Sequence, residues 1–96
     1  MPAAARQGDA GITHCSGYNI ASGSSDVFIN GRPAARVGDA STTHLRPGAV
    51  CTPHVSNIIS GSPNVFVNGR PLARIGDPLA ACTQIAQGSD NVFANG

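Results

Sequence analysis

Lysine, glutamate and tryptophan are absent from this 96-residue chain, and only 11% of its residues are charged. Losing Lys and Glu removes two strong helix formers. Twelve glycines and seven prolines punctuate the remainder, so no long helix is expected. The net charge of +1 offers no basic field for nucleic acid or an anionic membrane. No apolar run is long enough to span a bilayer. No apolar stretch of the signal-peptide kind follows Met1, so synthesis in the cytoplasm is expected. Three cysteines are an odd number, which in a reducing compartment favours metal ligation or free thiols over a disulfide framework. A Cys15–Cys51 disulfide is the alternative to free thiols at those two positions. A chain this short forms a single domain, residues 1–96, and buries only roughly 60–65% of its unfolded surface. Its core is thin, and a staple would help it.

What the chain does contain is one unit repeated three times, over about 5–31, 35–69 and 73–96. Ala-Arg-x-Gly-Asp occurs at Ala5–Asp9, Ala35–Asp39 and Ala73–Asp77, and Val-Phe-x-Asn-Gly at Val27–Gly31, Val65–Gly69 and Val92–Gly96. Asn-Gly between short β-type runs signals a type I′ hairpin, because that turn needs positive φ at both central residues. A two-residue loop at Asn30-Gly31 sets Ile29 opposite Arg32 and Phe28 opposite Pro33. The second copy sets Val67 opposite Arg70 and Phe66 opposite Pro71. The pair next to such a turn is hydrogen-bonded and the following one is not, so each proline falls where its missing donor is tolerated. The third hairpin is split. The run near Asn91–Ala94 should pair with the N-terminal run near Ala3–Gln7, closing a pseudo-threefold ring, although Pro2 stands one residue early relative to Pro33. The fold expected is therefore mainly β, three pseudo-threefold hairpins with no long helix.

Strand alternation puts Phe28, Pro33, Ala35 and Val37 on one apolar face, with Phe66, Pro71, Ala73 and Ile75 their counterparts. Phe28, Phe66 and Phe93 are all the phenylalanines of the chain, one per repeat. They predict a three-phenylalanine core or, on a second reading, a flat apolar base for a partner.

The fifth residue after each motif Asp is His14, His44 and Cys82 in turn. Equivalent positions in three repeats would meet near the pseudo-axis. The longer loop of the second copy adds His54 as a fourth donor, and Cys51 as a competitor to Cys82. Three imidazoles and a thiolate make a closed tetrahedral zinc site, with iron as the alternative metal. Such a site leaves no position for substrate, and the five Asp all recur at repeat-related places. With no Glu to serve as a base, the chain reads as a docking or mechanical protein rather than an enzyme. Arg6, Arg36 and Arg74 each precede a motif Asp by three residues. They are expected either in internal Arg–Asp pairs or, as for Arg36 and Arg74, as donors to a partner's carbonyls.

Pro33-Ala34-Ala35-Arg36 spells Pro-Ala-Ala-Arg, and Pro71-Leu72-Ala73-Arg74 is a variant of it. With the threefold repeat and the His/Cys pattern, the chain resembles PAAR-repeat proteins over essentially its whole length. That resemblance implies a small β-rich cone, one copy of which caps a trimeric β-helical spike. The spike would be the VgrG protein of a type VI secretion system, or the related central spike of a contractile phage tail. It implies a zinc ion at the pointed end, carried over here to His14, His44, His54 and Cys82. It further implies transient contact with a target membrane, possible attachment of effectors, and export on firing. Both ends lie within the motif region, so no fused effector domain is expected.

Overall fold

The Asn-Gly turns organise the chain. Asn30 and Gly31 adopt φ of 55° and 78°, and Asn68 and Gly69 adopt 54° and 77°, the left-handed pair that a type I′ turn demands. In the computed structural model these turns join β1 (Phe28–Ile29) to β2 (Arg32–Pro33) and β5 (Phe66–Val67) to β6 (Arg70–Pro71), while β3 (His44–Leu45) pairs with β4 (Pro53–His54). Ile29 faces Arg32 and Phe28 faces Pro33; Val67 faces Arg70 and Phe66 faces Pro71. The structure describes residues 2–12, 17–42, 44–45, 53–80 and 83–94, with 44, 45, 53 and 54 described by their backbone alone. No helix occurs among the described residues.

The terminal segments supply a third pairing. Ala3 bridges Phe93 in antiparallel sense, flanked by hydrogen bonds from the Ala4 amide to the Val92 carbonyl (2.9 Å) and from the Ala94 amide to the Pro2 carbonyl (3.0 Å). Ala3 therefore occupies the place that Pro33 and Pro71 hold in the other copies.

Rings of repeat-related hydrogen bonds define the axis. The Ala5 amide donates to the Ala73 carbonyl at 2.9 Å, Ala73 to Ala35 at 2.9 Å, and Ala35 back to Ala5 at 3.0 Å. A closed cycle between three equivalent residues must encircle the pseudo-threefold axis. The three alanines are fully buried, so the motif's second alanine is small because three copies of it meet there. The molecule measures 38 × 24 × 23 Å, with the two similar minor extents that threefold symmetry about a long axis requires.

Two apolar layers stack along this ring. One contains Ala5, Ala35 and Ala73 with Tyr18, Ile20, Ile58, Leu79 and Ile85, and the other contains Ala4, Ile29, Ala34, Val67, Leu72 and Ala94. The threefold core residue is thus isoleucine: Ile20, Ile58 and Ile85 are 2%, 1% and 1% exposed. The expectation of a three-phenylalanine core is overturned, since Phe28, Phe66 and Phe93 are 55%, 55% and 49% exposed. The reason is parity along the strand. Ile29, Val67 and Ala94 take the inward face, and the preceding residue in each copy must then point outward.

Candidate functional site

Each Ala-Arg-x-Gly-Asp motif closes on itself. The Asp39 carboxylate accepts the Arg36 amide (2.7 Å) and its Nε (3.0 Å) on Oδ2, and Nη2 (3.0 Å) on Oδ1. Arg6–Asp9 and Arg74–Asp77 repeat the pattern within 0.1 Å. In all three the Asp amide donates back to the Arg carbonyl at 3.0 Å. The intervening Gly8, Gly38 and Gly76 take φ of 92°, 95° and 92°, a left-handed turn that glycine allows without strain. The side-chain hydrogen bond that each donates to its Asp raises the pKa of Arg6, Arg36 and Arg74 above the ordinary guanidinium value. Arg36 and Arg74 are therefore engaged with their own aspartates. Arg32 adds a second guanidinium to Asp9, and Arg70 approaches Asp39 at 3.8 Å.

The turn asparagines carry a second job. Asn68 Oδ1 accepts from Ser24 Oγ (2.6 Å) and Arg36 Nη1 (2.9 Å), and its amide donates to Asp26 (2.9 Å). Asn30 does the same with Ser89 (2.6 Å), Arg6 (3.0 Å) and Asn91 (2.9 Å). Each hairpin tip is thereby tied to the neighbouring repeat. These links, the buried Ser24, Ser62 and Ser89, and the isoleucine triad were missed in the sequence. The signal was present: Ile20, Ile58 and Ile85 each precede such a serine by four residues. Loops of unequal length after the motif Asp hide that spacing from a forward count.

On the outside, Phe28, Phe66 and Phe93, with Val27 and Val92, form exposed apolar positions related by the repeat. At the other functional region, β3 and β4 set His44 directly opposite His54. His14 and Cys82 lie outside the described residues, as do Cys15 and Cys51. The side chains of His44 and His54 are likewise outside what is described. Among the described residues no group of three or more His, Cys, Asp or Glu side chains comes together.

The chain segments next to these positions are described. Ile12, two residues before His14, donates its amide to the carbonyl of Gln84, two residues after Cys82, at 2.9 Å. Thr42, two residues before His44, donates to the Asn19 carbonyl at 2.8 Å, and Ser41 to the Ser56 carbonyl at 2.8 Å. The segments flanking all four candidate ligands are thus held against one another through the same scaffold.

One chain thus folds into three near-equivalent sectors with an exposed phenylalanine in each, a small single-chain β scaffold with pseudo-threefold symmetry. The PAAR motif family model matches residues 2–44 and 48–96, and the chain belongs to that family. PAAR proteins are structural spike-tip proteins associated with VgrG-type spikes, not an enzyme family. No curated protein matches the chain closely enough to count as a relative.

Proposed function

We propose that this protein is the metal-stabilised tip of a contractile secretion spike, one copy capping a trimeric VgrG-type β-helix. The observation that carries this reading is the closed Ala5–Ala73–Ala35 hydrogen-bond cycle, by which one chain builds its own threefold axis. A trimer ends in three equivalent edges, whereas an ordinary monomer offers each surface once. Here the three sectors meet the three edges. Phe28, Phe66 and Phe93 supply one apolar contact each, and exposed backbone continues the spike's strands by β-augmentation. Arg36 and Arg74 contribute to docking through their own aspartates, by holding the sectors rigid. The protein is made in the cytoplasm, assembled there on the spike with any effectors it carries, and driven through a target membrane on firing.

At the tip, His14, His44, His54 and Cys82 would hold one zinc ion, with iron as the alternative. The donor set suits the metal: three imidazoles and a thiolate complete a tetrahedral structural site. Directly opposed residues in an antiparallel pair have Cβ atoms about 4.5–5.5 Å apart, which supports His44 and His54 as a pair of ligands. The hydrogen bond between Ile12 and Gln84 supports the approach of the His14 and Cys82 segments. A metal there couples binding to folding.

Native mass spectrometry of the chain mixed with a trimeric spike β-helix fragment tests both parts. One chain and one zinc per trimer is the expected mass. A zinc-loaded chain that ignores the trimer removes the spike-tip reading. A chain that caps the trimer without metal removes the zinc site and leaves the cap.

A further inference from the structure

The threefold pattern breaks at one buried place. Tyr18, Ser56 and Thr83 each stand two residues before a core isoleucine, and Gly11, Ser41 and Leu79 each stand two residues after a motif Asp. Of the first three only Tyr18 is large, and it is 3% exposed. Its ring fills the space beside Gly11, where an added Cβ would lie 1.9 Å from Tyr18 Cζ. The phenol then reaches across the molecule. Tyr18 Oη lies 2.9 Å from Thr83 Oγ1, and Thr83 Oγ1 donates to the Ile12 carbonyl at 2.6 Å. Threonine has one hydroxyl proton. With that proton on Ile12, the hydrogen bond from Tyr18 must run toward Thr83. The result is a directed chain, Tyr18 to Thr83 to Ile12, with a longer contact of 3.4 Å from Tyr18 to the Gln84 carbonyl.

These partners have a common property. Thr83 follows Cys82 directly, and Ile12 precedes His14 by two residues. We propose that Tyr18 is a positioning residue for the tip metal site: its phenol clasps the roots of the two arms that carry His14 and Cys82. This inference rests on the zinc reading above. Ligand arms rooted in a hydrogen-bond chain that starts from a buried phenol enter the site pre-oriented. Partners bonded directly to ligands change metal affinity by about 10–100-fold when removed, and a clasp further out belongs at the low end of that range. The segments leading to His44 and His54 have a link of their own, the Ser56 amide donating to Ser41 Oγ at 3.0 Å. The His44–His54 pair is held by its own backbone ladder.

The test is the zinc dissociation constant of the whole protein, measured by chelator competition, for wild type and for Tyr18→Phe, Thr83→Val and Thr83→Ser. Tyr18→Phe keeps the ring beside Gly11 and deletes only the hydroxyl. About tenfold weaker zinc binding is expected for Tyr18→Phe, and at least that for Thr83→Val, with Thr83→Ser restored to wild type. The thiolate-to-metal charge-transfer band of the cobalt-substituted protein should shift in Tyr18→Phe. A purely structural tyrosine would lower the melting temperature of the metal-free protein yet leave both the zinc affinity and the cobalt spectrum unchanged, and that result overturns the inference. If Tyr18→Phe does not fold, equal zinc affinity in Thr83→Val and Thr83→Ser overturns it as well. Wild-type protein that binds no zinc overturns the metal reading itself, and the clasp with it.

Discussion

At Asp39 a single carboxylate receives three hydrogen bonds from one arginine, and its side chain is 4% exposed. Removing one partner of a buried ion pair leaves the other charge without compensation, at a cost of about 3–5 kcal/mol. Asp39→Ala should lose stability in that range by urea unfolding. A loss of less than about 1 kcal/mol, the scale of an exposed pair, would show that the motif is a surface feature. Gly11 is decided by space instead. An added methyl group collides with the Tyr18 ring, and overpacking of this kind costs about 1–3 kcal/mol. Gly11→Ala should lower the melting temperature, and an unchanged value would show that Tyr18 moves freely. The Arg–Asp spacing was legible in the sequence because the partners are three residues apart. Tyr18 was not legible, because its partner Thr83 lies on the far side of the chain in sequence and differs in type from its repeat mates.

Among the elements, the hairpins show how one residue serves two levels of structure. Asn68 accepts positive φ for its own turn and also binds Ser24 and Asp26 of the neighbouring repeat and Arg36 of its own. Glycine suits the turn at least as well but makes none of these bonds. Asn68→Gly should therefore destabilise the protein by about 1 kcal/mol, the net worth of the one hydrogen bond to buried Ser24, since the bonds to Asp26 and Arg36 lie exposed. A neutral result in thermal unfolding would mean that turn chemistry alone selects the asparagine. The hairpin register was readable from Asn-Gly and the proline position. Which face turned inward was not, because Phe28, Pro33 and Ala35 make one face the more apolar, while Arg32 and Arg36 stand with Val27, Ile29 and Ala34 on the other, the face whose Ile29 and Ala34 are buried. The burial of Ile29 against Ala4, Ala34, Val67, Leu72 and Ala94 settles it, and that layer exists only after three repeats have assembled.

For the whole molecule, closure is the central property. The Ala35 amide needs Ala5, the Ala5 amide needs Ala73, and the Ala73 amide needs Ala35, so no repeat is satisfied until all are present. Deleting residues 91–96 removes Ala94 from the core and the Val92 carbonyl from Ala4. The truncated chain should lose its cooperative unfolding transition altogether, as followed by circular dichroism. A truncated chain that still melts cooperatively would show that two repeats suffice. In the role proposed above, the same closure would make the protein a rigid cap for a trimer.

The sequence by itself determined the three repeats, the family, the turn positions and the pairing of Arg with Asp, since all of these are local patterns or repeats of local patterns. It also placed His14, His44 and Cys82 at equivalent positions, with His54 on the longer loop. Only the tertiary structure decided that isoleucine rather than phenylalanine fills the threefold core. It alone decided that the alanines close a ring, and that Tyr18 reaches Thr83. Each of these depends on contacts between repeats, and an amphipathic pattern of period two cannot tell an inner face from an outer one until something packs against it.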